Sequence, residues 1–508
     1  MPAGTHPLTK CVRLGYRWRM RAGTSLIPLL ALAVALAGCR QRETGPVEVV
    51  AIGKDPAFVN PNLQPLDPPS AFLLQAAAQG LVRFDANGEI EPALAERWIV
   101  SDEGLRYTFR LAGAEWRGGG RITAEQVAQR LRAAASPASR NPLKPVLGAI
   151  DEIIAMTDDV IEISLKSPRP NFLQLLAQPE LAVLRRGEGS GPYQAEPKAH
   201  GAVQLILPRP NRGGDGDGMA GENAPDWPII LRGGSAALGV ARFGAGAADL
   251  VLGGGIGDLP LARAIRPPAA RLVFDPVAGL LGLSFASNEG PLGSVPVRQA
   301  LSMAIDRGAL AATLGVPGLP MRETILPPGV EGLAQPAAPP WAALPLAQRR
   351  AAAAAAMRDA VGETRLQLRI ALPEGPGWRL LFAHLRRDWA AIGVDAERVR
   401  PQDQAELRLI DDVAPVTLAS WYLRHFTCAA SLICAPAADD MLAAARIAPG
   451  PANRRGLLAN ADRILADTAP FIPLAAPVRW SLVAPRLTGF RPNSFAVHPA
   501  DELIRPAP

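Results

Sequence analysis

Cysteine chemistry stands out in this 508-residue chain, because its four thiols fall into distinct settings. Cys39 closes the run Leu36-Ala37-Gly38-Cys39, which resembles a lipobox, the signal for cleavage before a cysteine and attachment of lipid to its sulfur. That chemistry needs a thiolate nucleophile, and small Ala37 and Gly38 suit a narrow peptidase pocket. An ordinary secretion signal with an incidental cysteine is the alternative. Cys11 lies upstream, which leaves Cys428 and Cys434 as an isolated pair. In an exported chain an oxidising compartment favours a disulfide between them, worth about 2–3 kcal/mol at most because the loop is small. Two free buried thiols are the other reading. Zinc is not expected, since His425 is the sole imidazole nearby and a structural site takes four ligands.

The residues before Cys39 fit export. Lys10, Arg13, Arg17, Arg19 and Arg21 precede an apolar run from Leu26 to Ala37, with no acid before Cys39. A basic start, a short apolar stretch and small residues at the cleavage point describe a secretory signal peptide. The run falls short of the roughly 20 residues that a membrane-spanning helix needs. Met20 offers an alternative start. Arg40 stands where an Asp would favour retention at an inner membrane. Removing residues 1–38 takes five of the 53 basic residues and none of the 47 acids, so the net charge falls from +6 to about +1. The basic balance of the whole chain therefore says nothing about nucleic acid, and no basic stripe supports such a partner.

Other motifs fall short of a chemistry. Asp215-Gly216-Asp217-Gly218 has calcium-ligand character but lacks the further oxygens and the distal Glu of an EF-hand; it reads as a surface loop. Gly253, Gly254, Gly255 and Gly257 loosely resemble a dinucleotide loop, yet Asp258 stands where the last glycine belongs. Ser190 lacks the Gly-x-Ser-x-Gly elbow, and His6, His200, His384, His425 and His498 are scattered. No cofactor, metal or catalytic set is expected, and an enzyme is disfavoured.

About 470 residues after the signal exceed one ordinary domain and imply two or three lobes. Val47 to Ile52 reads as a strand by its β-branched content. Asn87-Gly88 marks a hairpin, and Arg106 to Leu111 alternates like an antiparallel strand. Thr123 opens a helix with a capping-box pattern, Thr123-Ala124-Glu125-Gln126. Pro296 to Ile305, Trp378 to Ile392 and Asn453 to Asp467 are predicted helices. Phe471 to Val483 is apolar strand material interrupted by Pro473 and Pro477. Strand–helix–strand units beside antiparallel stretches make the fold class α/β.

Seven stretches carry a resemblance. They are Gly80 to Asp85; Glu91 to Trp98; Ser101 to Leu111, continued by Trp116 and Thr123 to Val127; Gly191-Pro192-Tyr193; Val297 to Arg307; Ile392-Gly393-Val394; and Pro470 to Leu474. In this order, across most of the mature chain, they resemble the family 5 bacterial extracellular solute-binding proteins. Members of that family serve dipeptide, oligopeptide and nickel importers of the ABC type.

The resemblance implies a periplasmic binding protein type II-like architecture, with two main lobes plus an inserted smaller lobe around a hinged cleft. The expected boundaries are a signal peptide at 1–38 and a lipidated tether at 39–46. Lobe I comprises 47–79, 201–278 and 479–508, the inserted lobe II spans 80–200, and lobe III spans 279–478. The resemblance further implies a periplasmic protein that captures a small solute, and with the lipobox-like run at Cys39 the expectation is a monomer held to the membrane by lipid. A di- or oligopeptide is the expected ligand, and the membrane permease of an ABC importer the expected partner. In dipeptide-type members an Asp near a strand end pairs with the ligand's amino group. Alignment without gaps puts Pro415 at that place, so neighbouring Asp411 and Asp412 are the candidates, with Trp421 as a cleft or core aromatic. Cys428 and Cys434 fall where dipeptide-binding members carry a disulfide. A nickel role would need a histidine cluster. A degenerate member acting as an envelope interaction or chaperone protein is the alternative, and a secreted hydrolase another.

Overall fold

The structure, a computed structural model, describes residues 44–169, 171–208, 227–333 and 335–504. Cys39, the signal stretch and the Asp-Gly run lie outside the described residues. Three larger sheets organise the described residues, and the lobe names I, II (inserted) and III denote the parts of the chain built on each. The seven-stranded sheet of lobe I has the order 272–275, 479–483, 250–254, 47–52, 229–234, 203–206, 194–197. Val47–Ile52 sits at its centre between parallel partners Ile229–Gly234 and Leu250–Gly254. Val49 and Val50 are both buried, one on each face, which is why this strand is apolar at five of its six positions, Glu48 being paired with Arg232. Arg479–Val483 returns from the far end of the chain and pairs antiparallel with Leu250–Gly254 and Leu272–Asp275.

Inside the 80–200 stretch, the last strand departs from the rest. Gln194–Pro197 pairs with Val203–Ile206 and so extends the sheet of lobe I. The crossing back is made at Gly189 and Gly191, which lie against the backbone of Ala77 and Ala78. A Cβ on either glycine would meet that backbone at 2.4 Å.

The inserted lobe carries a four-stranded antiparallel sheet, ordered 95–101, 106–111, 160–165, 150–155. Phe109, Ile161 and Ile163 are fully buried within the same cluster as Val127 and Leu131 of helix Ala124–Ala135. The capping box starts this helix: Thr123 Oγ1 accepts from the Gln126 N–H, and Gln126 Oε1 accepts from the Thr123 N–H. The Trp116 indole donates to the same Gln126 oxygen at 2.9 Å. Asn87-Gly88 turns the hairpin between Val82–Phe84 and Ile90–Pro92, with Gly88 at φ +83°.

Lobe III is built on a five-stranded mixed sheet, ordered 394–399, 366–371, 407–413, 279–285, 471–475. Helix Val295–Met303 contributes Val297, Ala300 and Leu301 to its core. Arg298 on that helix is buried and donates to the carbonyls of Leu292, Gly293, Thr468 and Ala469. It thus ties the helix to the end of helix Pro451–Thr468. Asp306 caps helix Arg307–Leu314, its Oδ1 accepting from the Ala309 N–H. Phe471 to Val483 divides into two strands in different sheets: Pro473 lies in the edge strand Phe471–Ala475, and Pro477 lies in the break. Proline is tolerated at both places because neither demands a ladder N–H.

One apolar cluster runs through lobes I and III, including Val251, Ile256, Leu283, Trp378 and Trp480. The glycine run near residue 255 belongs to that packing. A Cβ at Gly254 would come within 2.1 Å of the Trp480 ring, and one at Gly257 within 2.4 Å of the Trp378 indole nitrogen. Among the described residues, no helix is long and apolar enough to cross a membrane.

Candidate functional site

The three lobes meet around a cavity of about 490 Å³. Lobe I supplies the start of helix Pro68–Ala77, with Phe72 and Gln75, and the segments at 479–481 and 495–498. The inserted lobe supplies Pro142, Leu143 and the turn Gln178-Pro179-Glu180. Lobe III supplies residues 411–415, Trp421 and His425. The fold therefore brings Asp411, Asp412, Pro415 and Trp421 to one cleft wall.

Local chemistry builds that wall. Asp67 caps helix Pro68–Ala77: Oδ1 accepts from the Ser70 N–H at 3.2 Å and Oδ2 from the Lys54 N–H at 2.9 Å. Pro68 and Pro69 fill the first turn, where a missing N–H costs nothing. Strand Leu407–Val413 delivers the two lobe III acids at its end. Consecutive strand residues point to opposite faces, and the two acids meet different partners.

Asp411 is engaged within the protein. Arg479 Nη1 donates to its Oδ1 at 2.9 Å, and Nη2 donates to its backbone oxygen at 2.9 Å. Burial pushes the Asp411 carboxyl up, opposed by the attraction of Arg479. Arg479 belongs to the large sheet of lobe I, so the pair ties lobe III to lobe I at the chain crossing. Asp412 is more than half exposed, with an oxygen 3.8 Å from His425 Nε2. The other ring nitrogen of His425 lies 2.9 Å from the Trp421 carbonyl. A carbonyl only accepts, so that nitrogen is the donor. Trp421 is part-buried and stands edge-on to Tyr422 and His425, with ring centroids 4.8 and 4.7 Å away. It packs against the cores of both the inserted lobe and lobe III. Cys428 and Cys434 are joined in a disulfide just after helix Ala419–Arg424, which carries Trp421.

Three polar groups of the cleft carried no assignment in the sequence. Asp275 is buried, accepts from the Asn493 N–H at 3.0 Å, and faces His498 Nε2 at 3.3 Å. His498 in turn stacks on Phe490. Glu180 is part-buried in the cleft wall, and desolvation pushes its carboxyl up. Among the described residues it has no cationic partner. Its signal was present in the sequence: residues 172–184 hold Glu180 as their one charge in an otherwise apolar and amide-bearing run.

The sequence model described as bacterial extracellular solute-binding proteins, family 5 Middle, matches residues 89–204 and 233–429. The chain belongs to this family. Two curated proteins of Escherichia coli K12 are similar over shorter stretches. The probable deoxycholate-binding periplasmic protein YgiS is 34% identical over 121 residues, 20% of this chain and 23% of its own. The glutathione-binding protein GsiB is 30% identical over 168 residues, 29% of this chain and 31% of its own. The match thus spans less than a third of either relative. Haemophilus influenzae OppA, solved in complex with the peptide RPPGFSPFR, superposes with a TM-score of 0.76 at 18% identity, covering 90% of this chain and 98% of that one. The family 5 protein accordingly has the type II periplasmic-binding-protein fold.

Proposed function

We propose that this family 5 protein is an extracytoplasmic receptor that captures a small solute in the interlobe cleft and delivers it to the permease of an ABC-type importer. The observation that carries this reading is the cavity itself. At about 490 Å³ it lies within the roughly 300–1,000 Å³ of small-molecule sites, and all three lobes line it. A solute of about dipeptide to tripeptide size suits that volume, and the peptide complex of OppA supports a peptide ligand. Asp411, Asp412 and Trp421 are the residues we assign to it, Asp411 acting through its pairing with Arg479 and Asp412 by direct contact. Capture requires no bond making: hinge motion opens the cleft, and closure buries the solute. The protein works as a periplasmic monomer anchored through lipid on Cys39, and it is not an enzyme.

Native mass spectrometry of residues 40–508, exported without lipid, tests the reading. Solute held well above its dissociation constant survives purification as an added mass. Discrete masses fitting short peptides are the expected result. A protein that stays bare after incubation with mixed di- to pentapeptides would overturn the peptide assignment and favour an envelope interaction or chaperone role.

A further inference from the structure

Away from the cleft, the seam between the inserted lobe and lobe III gathers positive charge. Residues 167 to 171 of the inserted lobe are tied to lobe III at both ends. Ser167 Oγ donates to the Arg446 carbonyl at 2.9 Å, and Asn171 Nδ2 to the Thr417 carbonyl at 3.1 Å. Arg169 stands between these two ties and is 6% exposed. On the same seam, Lys166 Nζ and Arg446 Nη2 both donate to the Gly148 carbonyl, each at 3.4 Å. Arg424 Nη1 donates to the Pro145 carbonyl of the turn that leads to Gly148. Arg454, also buried, donates to the carbonyl of Ala445, next to Arg446, at 2.8 Å.

Among the described residues these five cations make a single ion pair, Arg454 with Glu331 at 3.0 Å. Glu331 is already committed, its Oε1 to Arg454 and its Oε2 to the Ala419 N–H. Lys166, Arg169, Arg424 and Arg446 are left without a carboxylate. A guanidinium offers five N–H groups. Arg424 and Arg446 each spend one on a carbonyl, and the Nη1 of Arg169 is fully buried with no hydrogen-bond partner. An unpaired buried charge is the most costly kind of unsatisfied group. Burial, reinforced by the positive charges of Arg454, Arg424 and Arg446 and opposed by Glu331, lowers the Arg169 guanidinium to about 10. Arg424 is lowered to about 10 by burial and by Arg446 and Arg454.

We propose that this seam is a binding site for a small, doubly charged oxyanion of the phosphate class, held by Arg169, Arg424 and Arg446 with help from Lys166, and that the anion ties the inserted lobe to lobe III. Guanidinium forks match the oxygens of phosphate, and a phosphate group carries about −1.5 to −2 charges at neutral pH, which suits four uncompensated cations better than one carboxylate does. Arg446 is exposed and Arg169 buried, so the site runs inward from the surface and fits a free ion or a phosphate monoester rather than a headgroup held in a bilayer. None of these residues lines the interlobe cavity, so the anion is not the captured solute.

Equilibrium dialysis of the purified protein, first freed of phosphate, against radiolabelled inorganic phosphate tests this. Ionic strength is held constant with chloride, because general screening also acts on exposed charges. The expected result is one phosphate per chain, displaced by sulfate and not by chloride. Arg424→Gln and Arg446→Gln, at a half-buried and an exposed position, should each weaken binding at least about tenfold, the scale of one charge-assisted hydrogen bond. Saturating phosphate should raise the melting temperature of the unaltered protein and leave that of the double variant unmoved. No bound phosphate would overturn the site, as would binding that both variants leave unchanged. Adhesion to phosphatidylglycerol vesicles without binding of free phosphate would overturn the free-ion assignment.

Discussion

Opening the cleft must break a specific apolar contact. Val416 and Leu418 belong to lobe III by sequence, yet they lie in the core cluster of the inserted lobe, 1% and 6% exposed. Gln178 Nε2 to the Pro415 carbonyl and Asn171 Nδ2 to the Thr417 carbonyl bracket them at 2.7 and 3.1 Å. Separating the two lobes would expose both side chains at about 1.5–3 kcal/mol each, so about 3–6 kcal/mol opposes opening. Leu418→Ala removes about 2 kcal/mol of that opposition, the low end for a buried Leu. At 1.4 kcal/mol per factor of ten, the open-to-closed ratio should rise about thirtyfold. Spin labels at Asp151→Cys in the inserted lobe and Arg455→Cys in lobe III, both exposed, report the interlobe distance in ligand-free protein. A longer-distance population growing in the variant is the expected outcome. An unchanged distance distribution beside a lower melting temperature would refute the reasoning: residues 415–418 would then be fixed parts of the inserted lobe, and the moving boundary would lie elsewhere.

Three further outcomes follow from particular side chains. Asp462 is 2% exposed and accepts from the Ala337 N–H through one oxygen, and burial raises its carboxyl to about 6. A carboxyl raised above its unfolded value weakens the fold above pH 6 and ceases to do so as the pH falls through 6 toward 4. Asp462→Asn should therefore stabilise the protein by up to about 3 kcal/mol at pH 8 and flatten the melting profile between pH 8 and 4. Reduction of the Cys428–Cys434 disulfide, whose partners are six residues apart, should cost about 2 kcal/mol, read from urea melts with and without reductant. Gly254→Ala places a methyl against the Trp480 ring and should lower stability by about 1–3 kcal/mol, the scale of overpacking, with a change in tryptophan fluorescence because Trp480 lines the cavity.

Much of the fold was legible because short-range rules governed it. The Thr123 capping box, the Asn87-Gly88 hairpin and the apolar strand Val47–Ile52 all follow from local sequence, and each stands where the pattern predicts. The helices read at 296–305, 378–392 and 453–467 appear as Val295–Met303, Pro376–Ala390 and Pro451–Thr468. Less local matters escaped. Arg298 is buried on four carbonyls, two in the turn just before its own helix and two about 170 residues further on. Gln194–Pro197 looked like part of the inserted lobe, yet its hydrogen bonds are made to the sheet of lobe I.

The sequence alone determined the local elements, the capped helix after Thr123, the Asn87-Gly88 hairpin and the strand Val47–Ile52, because caps, turns and apolar periods act over a few residues, and its motifs carried the resemblance to the family. It also named Asp411, Asp412 and Trp421, which line one cavity. Tertiary structure decided what each charge is for. Arg479 lies 68 residues from Asp411 and Gln178 237 from Pro415. Only packing reveals which acid is consumed by the protein and which is left to face the cleft, since Coulombic pairing depends on distance in space and not along the chain.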